Sequence, residues 1–344
     1  MTKKIKITML GASQTGKTCY MLAMYSIMSF GVNGFSLSTT DPDDHLDLTE
    51  QWENIVSTEG KERWPPPTKE ETNRTYSFNF NYALTTRLME FDWFDYRGAA
   101  LTEKGSTGSE DVPMLRSRIK DSSCLFLCIP GTVFADGISP INAVKVTAMR
   151  NLIQQDATEG KRLPIVILIT KFDECKHLKR EEIVDAIKIN LFADLFIEGA
   201  GWPVMICPVS LGNDLKDDMD HGLIEPTGVH LPLIFAIQTS YMNMLTLKQS
   251  EEESAQSILE ERKRAVTELE GRNWFVKLFD GQEKIKDANS SVKSGEKDAA
   301  KIERQRKEIE KKAELLGREL RPKDKEDKED KEDKVYIFFD GCEI

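Results

Sequence analysis

Gly11 to Thr18 constrain this chain more than any other part of its sequence. These residues, GASQTGKT, fit the pattern G-x-x-x-x-G-K-[ST] in full. An alternating, then apolar, segment precedes them at residues 4–10, and a helix-compatible segment follows at residues 19–30. A buried strand, a glycine-rich turn and a helix in this order direct backbone amides and a helix N-terminus at phosphate oxygens. The sequence therefore predicts a phosphate-binding loop.

The side chains of this loop predict how a nucleotide phosphate would be held. Lys17 is expected to reach the β and γ phosphates, and the Thr18 hydroxyl is expected to coordinate Mg²⁺. Candidate contacts to the nucleotide along the loop are Gly11, Ser13, Gln14, Thr15, Gly16, Lys17, Thr18 and Cys19. We interpret the loop as part of a nucleotide site that uses Mg²⁺.

Strands and helices alternate through the first 247 residues. Apolar or alternating runs predict strands at residues 4–10, 76–84, 87–94, 124–129, 164–170 and 203–209. Helical patterns are expected at residues 17–30, 113–120, 143–155, 180–196 and 231–247. The polar stretch at residues 31–75 predicts a long loop. We expect a three-layer α/β fold. Its mostly parallel sheet carries one antiparallel edge strand, which comes from a hairpin at residues 76–94.

The residues that follow two predicted strands point to the base of the nucleotide. Asp173 closes the tetrapeptide Thr170-Lys171-Phe172-Asp173. A carboxylate here can accept hydrogen bonds from N1 and N2 of guanine, and a site of this kind rejects other bases by roughly four orders of magnitude. Lys171 is expected to lie over the base. A solvated strand end is the alternative interpretation.

A second base contact is predicted at the end of the last strand of this region. Ser210 and Leu211 follow residues 203–209 and would meet the edge of the base through backbone amides. A serine after a strand is also an ordinary helix cap, so this residue pair alone decides little. Its position after the other motifs favours the base contact.

The order of the motifs resembles that of a known family. GASQTGKT, a threonine in the next loop, a strand ending in DYRG, then TKFD and VSL occur in this order. This set resembles the TRAFAC-class P-loop GTPases with a Ras-like core, over roughly residues 4–247. WPPPT at residues 64–68 and VHLPLIFAI at residues 229–237 further resemble the bacterial double-GTPase group. The resemblance implies a six-stranded core that binds GTP and Mg²⁺.

The resemblance also implies roles for residues outside the phosphate loop. Asp95 would hold Mg²⁺ through water, and the amide of Gly98 would touch the γ phosphate. A threonine of the first switch would reach Mg²⁺, and we favour Thr68 over Thr72 and Thr75 because it follows a rigid proline run. Asp92 is a competing carboxylate, but it lacks a glycine at the right distance.

Two departures from the family pattern change what we expect. Thr170 stands where the family usually has asparagine, a variant expected to lose one side-chain contact to the loop. Ala99 stands where Ras-like hydrolases usually place the glutamine that orients water. Arg97 or an arginine of a partner could stabilise the developing charge. The candidate catalytic residues are Lys17, Thr68, Asp95, Arg97 and Gly98.

These residues predict a GTP-binding switch with slow, activatable hydrolysis. The alternative is a GTP-loaded interaction module with negligible turnover, which Ala99 favours. A kinase on the same fold is disfavoured, because no acceptor site is recognisable. The expected partners are a guanine nucleotide and a protein effector or activator. A homodimer is left open.

The composition changes after residue 247, where a helical, charge-rich extension is expected over residues 248–344. Apolar residues at helical spacing near residues 255–269 and 299–320 predict an antiparallel coiled-coil hairpin. Residues 323–334 are a low-complexity charged run, expected to be solvated. The similar tetrapeptides LFDG (278–281) and FFDG (338–341) predict two short strands.

The net charge, the apolar stretches and the cysteine spacing limit the kinds of partner and location that we expect. The 344 residues carry a formal net charge of −11, which argues against broad nucleic-acid binding. The most apolar late stretch, residues 231–237, is far shorter than a membrane span. The six cysteines lack zinc-finger spacing. We therefore expect a cytoplasmic protein.

Overall fold

The computed structural model describes residues 4–66, 74–95, 111–135, 137, 140–156, 162–271, 282–321 and 335–344. The strands are β1 Ile5–Leu10, β2 Phe35–Thr39, β3 Arg74–Tyr82, β4 Thr86–Asp95, β5 Cys124–Pro130, β6 Ile165–Thr170, β7 Pro203–Pro208, β8 Tyr336–Phe339 and β9 Cys342–Glu343. The α-helices are α1 Lys17–Phe30, α2 Pro42–Ser57, α3 Asp111–Asp121, α4 Thr132–Ala135, α5 Pro140–Asp156, α6 Arg180–Ala186, α7 Leu231–Gly271 and α8 Gln282–Leu320.

The described strands form one mixed sheet in the order β2-β3-β4-β1-β5-β6-β7-β8-β9. The central strands β4, β1, β5, β6 and β7 pair in parallel. β3 is antiparallel to both of its neighbours, and β8 and β9 form an antiparallel border at the other side. The carboxyl ends of the five parallel strands therefore share one edge of the sheet, which is where ligands of such sheets bind.

Helices cover both faces of the parallel part of the sheet. Leu125 and Leu127 of β5 pack in a core cluster with residues of α3, α5 and α6. Phe126, which lies between them, faces the other way, and its ring centroid is 6.3 Å from that of Tyr20 on α1. Because successive side chains of a strand alternate, a strand covered on both faces must be apolar throughout. The CLFLCI run of β5 meets this condition.

The predicted long loop over residues 31–75 is wrong, because β2 and α2 lie within it. The five residues of β2 pair with β3. Helix α2 is mostly polar and buries only two residues fully, so its hydrophobic pattern is weak. Its start was nevertheless encoded: Asp41 accepts a hydrogen bond from the Asp43 amide at 3.0 Å, and Pro42 occupies the first turn.

The β3–β4 hairpin is confirmed, but its position is not the predicted one. β3 is antiparallel, yet it is not the edge strand, because β2 lies outside it. The sheet also has nine described strands rather than the implied six. The predicted helix over residues 180–196 is interrupted as well. It continues from α6 as a π-helical turn at Ile187–Leu191 and a 3₁₀ turn at Ala193–Leu195.

The closing helix α7 does not end near residue 247 but continues to Gly271. The described chain divides into two compact units, residues 1–237 with 319–344, and residues 238–318. β8 lies in the first unit and pairs with β7, so the FFDG segment begins in a strand as predicted, while Asp340 and Gly341 form a turn. The LFDG segment lies outside the described residues, and the proposed domain boundary at residue 247 stays a prediction.

Within the second unit, α7 and α8 run antiparallel. Arg306 forms an ion pair with Glu252 at 2.6 Å, and Lys263 forms one with Glu296 at 2.9 Å. As residue numbers rise along α7, those of the partners on α8 fall. Along the described part of the chain, no helix is both long and apolar enough to cross a membrane.

Phe338 tests whether the C-terminal strand belongs to the core of the first unit. Its side chain is 1% exposed, and its ring meets Phe196 edge-on with centroids 5.1 Å apart. Phe338→Ala is expected to lower the free energy of unfolding by about 3–5 kcal/mol, measured by urea denaturation. The neighbouring Phe339 is 54% exposed, so Phe339→Ala is expected to change it by at most about 0.5 kcal/mol. Equal effects would contradict this packing.

Candidate functional site

A cavity of about 380 Å³ opens at the carboxyl edge of the parallel strands. The phosphate loop, the residues that follow β6 and the residues that follow β7 all line it. The candidate residues along its wall are Ser13, Gln14, Thr15, Gly16, Lys17, Thr18, Cys19, Thr170, Lys171, Asp173, Ser210 and Leu211. The structure thus brings together motifs that are far apart in the sequence.

The loop between β1 and α1 has the backbone that a phosphate site needs. Gly16 has a φ of 83° and caps α1 without a side-chain hydrogen bond, so the first amides of the helix are left for a ligand. A Cβ on Gly11 would lie 2.7 Å from Thr15 Oγ1 and 3.0 Å from Cys128 Cβ. The loop can therefore lie this close to β5 only with glycine at residue 11.

The side chain of Lys17 is hydrogen-bonded to the backbone of its own loop. Its side chain is buried, and Nζ donates to the carbonyls of Gly11 and Ala12, each at 2.9 Å. Burial lowers the pKa of Lys17 from its ordinary value. An ammonium group has three donors, so one N–H remains beyond these two bonds and can be directed at a phosphate oxygen.

Asp95, at the end of β4, lies beside Thr18 of the loop. Thr18 Oγ1 donates to Asp95 Oδ2 at 3.0 Å. Asp95 Oδ1 is buried and has no hydrogen-bond partner among the described residues. Burial raises the pKa of Asp95, against the opposing effects of Lys17 and the Thr18 hydrogen bond. A buried, unpaired carboxylate oxygen next to a hydroxyl is a pair of hard ligands that fits a cation.

The two oxygen donors of Thr18 and Asp95 suit Mg²⁺ better than they suit a metal whose ligands all come from the protein. The described residues contain no group of three or more His, Cys, Asp or Glu side chains that could hold a metal. Mg²⁺ is usually bound through one or two protein oxygens, with waters and substrate phosphates completing its shell. Thr18 and Asp95 could therefore hold Mg²⁺ together with a nucleotide.

The opposite end of the cavity is built around Asp173. Lys171 has a φ of 51° and begins the 3₁₀ turn Phe172–Cys175, which directs Asp173 back to the cavity. Asp173 Oδ1 accepts a hydrogen bond from Ser210 Oγ at 2.9 Å. Burial raises the pKa of Asp173, and the Ser210 bond opposes that effect. The turn can approach β5 because Gly131 has no side chain, as a Cβ there would lie 2.3 Å from the Lys171 carbonyl oxygen.

Thr170 contacts the phosphate loop through its hydroxyl, and whether it makes one contact fewer than asparagine would stays a prediction. Its hydroxyl donates to the Thr15 carbonyl at 2.6 Å. The short side chain reaches the loop because the end of β6 lies directly beside it. The hydroxyl therefore connects the loop end of the cavity to the end that carries Asp173.

No sequence motif predicts the residues that form one wall of the cavity. Trp64, Pro65 and Pro66 line it, and Leu215 and Met219 of the β7–α7 connection do so as well. The WPPPT motif predicts a switch turn, and no motif marks residues 213–222. The available signal was Trp64 directly before a proline run, a large apolar side chain that is unusual in a solvated loop.

Three candidate catalytic residues lie outside the described residues: Thr68, Arg97 and Gly98. Ala99 lies outside them too. Pro66, at the cavity wall, precedes Thr68 by two residues. The roles of these residues stay predictions.

Comparisons with known proteins find likeness in structure alone. No family model and no curated protein matches the sequence. Among solved structures, a nucleolar GTP-binding protein 1 from Plasmodium falciparum matches at 11% identity and a TM-score of 0.36, over 72% of this chain and 93% of that one. The GTP-bound Ski7 GTPase-like domain of S. cerevisiae matches at 13% and 0.39, over 69% of this chain and 50% of that one.

A septin GTPase domain from Chlamydomonas reinhardtii matches at 14% identity and a TM-score of 0.30, over 56% of this chain and 60% of that one. Scores at this level carry no argument by themselves. The assignment to a P-loop nucleotide-binding fold rests instead on this chain's mixed α/β sheet and on the loop between β1 and α1.

The pH dependence of the protein's stability tests whether the Asp95 carboxylate is a buried charge. Because its folded pKa is raised, its ionisation destabilises the nucleotide-free protein as pH rises through that pKa. Asp95→Asn is therefore expected to raise the melting temperature at neutral pH without Mg²⁺, and the gain is expected to shrink in acid. Thermal unfolding followed by circular dichroism across pH measures this.

Asp92 provides the matched control for this test. It is paired with Lys4 at 2.7 Å, so Asp92→Asn removes a favourable contact and is expected to give no gain at neutral pH. A lower melting temperature for Asp95→Asn at neutral pH would contradict the account of Asp95 as a buried charge that Lys17 and Thr18 compensate only in part.

Proposed function

We propose that this protein is a GTP-binding molecular switch with slow, Mg²⁺-dependent hydrolysis that a partner activates. One observation carries the proposal: a single cavity holds Lys17 of the phosphate loop at one end and the Asp173–Ser210 pair at the other. A phosphate-binding end and a carboxylate end, connected by Thr170, suit a purine nucleotide with its phosphates on the loop.

The chemistry of Asp173 supports guanine as the base. A carboxylate has about four acceptor positions, and the Ser210 hydroxyl uses one of them. Guanine presents N1–H and N2–H donors on one edge and can use the remaining capacity. Adenine presents an acceptor at N1, so the carboxylate would be left facing a lone pair. A site built around such hydrogen bonds rejects the wrong base strongly.

Slow hydrolysis is proposed from the composition of the catalytic region. Ala99 cannot orient a water molecule, whereas Lys17, Thr18 and Asp95 would position the phosphates and Mg²⁺. When bound, Mg²⁺ would neutralise charge on the β and γ phosphates. Arg97, or an arginine of an activating protein, would supply the remaining stabilisation, worth roughly a thousandfold or more. Loops carrying Thr68 and Gly98 would order around GTP and be released by hydrolysis.

The base assignment is tested by changing the acceptor at residue 173. Asp173→Asn replaces one acceptor oxygen by a donor, so GTP affinity is expected to fall by about 100-fold or more. Xanthine carries a carbonyl in place of the 2-amino group, so affinity for its triphosphate is expected to rise. Isothermal titration with GTP, ATP and the xanthine nucleotide measures both.

Asp185→Asn, at an exposed residue of α6, is the matched control and should bind GTP as the wild type does. Wild-type protein that binds ATP as tightly as GTP would contradict the guanine assignment.

The second candidate function is a GTP-loaded interaction module with negligible turnover, which Ala99 favours. Steady phosphate release from GTP that disappears in Lys17→Ala and after Mg²⁺ chelation would support the switch. Stable binding of GTP with no release above that of Lys17→Ala, with or without candidate activators, would favour the module instead.

A further inference from the structure

The guanidinium of Arg63 is buried next to the cavity and bonds to backbone carbonyls. Arg63 is 3% exposed and ends the 3₁₀ helix Lys61–Arg63. Nε donates to Ile55 O at 3.0 Å, and Nη1 donates to Asp220 O and Gly222 O, each at 3.1 Å. A buried charge costs free energy unless it is hydrogen-bonded, so these bonds hold two distant segments in place.

The first of these segments, residues 60–64, is held from both sides. Asn54 of α2 donates through Nδ2 to the carbonyls of Glu62 and Arg63, at 3.0 and 3.3 Å. The Gly60 amide donates to Asp220 O at 3.1 Å, the same carbonyl that Arg63 uses. Residues 60–64 are therefore attached to α2 on one side and to the β7–α7 connection on the other.

The second segment, residues 220–222, is attached to the base end of the cavity. The Glu225 amide donates to Leu211 O at 2.7 Å, and the Thr227 amide donates to Ser210 O at 2.9 Å. A Cβ on Gly212 would lie 2.1 Å from Leu223 O, so the backbone at residue 212 is in direct contact with the backbone at residue 223. Since Ser210 also bonds Asp173, a continuous set of contacts runs from Asp173 to Arg63.

Trp64 shows what Arg63 positions. The Arg63 guanidinium lies 5.3 Å from the centroid of the Trp64 ring. Trp64 lines the cavity, and its Nε1 is buried without a hydrogen-bond partner among the described residues. Because Nε1 is buried, the part of Trp64 that lines the cavity is its ring, which can pack against a ligand there.

We propose that Arg63 is a positioning residue that retains the nucleotide. It fastens the wall formed by Trp64 to the base end of the cavity, so that the Trp64 ring bounds the guanine nucleotide on that side. Release of the nucleotide then requires the bonds of Arg63 to Asp220 and Gly222 to break. This inference rests on the proposed function, because it takes the guanine nucleotide as the ligand of the cavity.

Arg63→Lys tests the inference directly. Lysine keeps the charge but lacks the planar fork that reaches separate carbonyls. We expect release of GDP labelled with a fluorescent N-methylanthraniloyl group to be about tenfold faster, which corresponds to about 1.4 kcal/mol. Release is measured by chase with unlabelled GDP, well below the melting temperature.

Arg162→Lys is the matched control. The Arg162 guanidinium lies 5.1 Å from the Trp202 ring centroid and donates to Ala200 O at 2.6 Å, and neither residue lines the cavity. This variant is expected to release the labelled GDP at the wild-type rate. Acceleration as large as that of Arg63→Lys would overturn the assignment.

Trp64→Phe provides a second measurement that does not depend on Arg63→Lys folding. Phenylalanine leaves a smaller ring at the cavity wall, so release of the labelled GDP is expected to be about two- to tenfold faster. Energy transfer from tryptophan to the labelled nucleotide is expected to fall sharply in this variant and to change less in Trp202→Phe. The loss of energy transfer reports only that Trp64 lies near the nucleotide. A Trp64→Phe variant that melts at a lower temperature but releases the labelled GDP at the wild-type rate would overturn the inference.

Failure of the inference can be told from failure of the proposed function. The proposed function is contradicted if the wild-type protein does not bind the labelled GDP, or if Lys17→Ala binds the labelled GDP as tightly as the wild type does. Wild-type protein that binds and retains the nucleotide, with Arg63→Lys and Trp64→Phe releasing it at the wild-type rate, contradicts the role of Arg63 and Trp64 alone.

Discussion

The burial of Lys17 against its own loop is the constraint on which the rest of the site depends. An ammonium group out of water needs acceptors, and the carbonyls of Gly11 and Ala12 supply them. Those carbonyls can turn inward only because the loop is compact, with Gly11 against Cys128 of β5. The loop, the first turn of α1 and the end of β5 are therefore one packed unit, and a third N–H of Lys17 remains available to a ligand.

Parallel pairing of the central strands places the ends of the other strands beside the phosphate loop. Because β1, β4, β5, β6 and β7 run in one direction, the residues that follow each of them meet at one edge of the sheet. Asp95 after β4 reaches Thr18, and Thr170 at the end of β6 reaches Thr15. The β7–α7 connection then extends the base end toward Trp64. The proposed phosphate, metal and base contacts can thus act on one ligand although their residues are up to 200 positions apart in the sequence.

Much of the core and of the candidate site could be predicted because short patterns encode them. The apolar runs of β5 and β6 need no tertiary information, since a strand buried on both faces must be apolar throughout. Helix α2 and strand β2 escaped prediction for the opposite reason: one is largely solvated and the other is five residues long, so neither shows a strong period. β8 was suggested only by a repeated tetrapeptide, and its pairing with β7 depends on residues more than a hundred positions away.

The sequence by itself determined the phosphate loop, the strand-helix alternation and the carboxylate that follows β6, because each is a local pattern with a local physical cause. Only the tertiary structure decided that Thr170 keeps a bond to the loop, that Asp95 Oδ1 is buried without a described partner, and that Arg63 joins Trp64 to residues 220–222. These contacts depend on distances between segments far apart in the chain. The acceptors of Arg63 are backbone carbonyls, which every residue possesses, so no residue type in the sequence could reveal them.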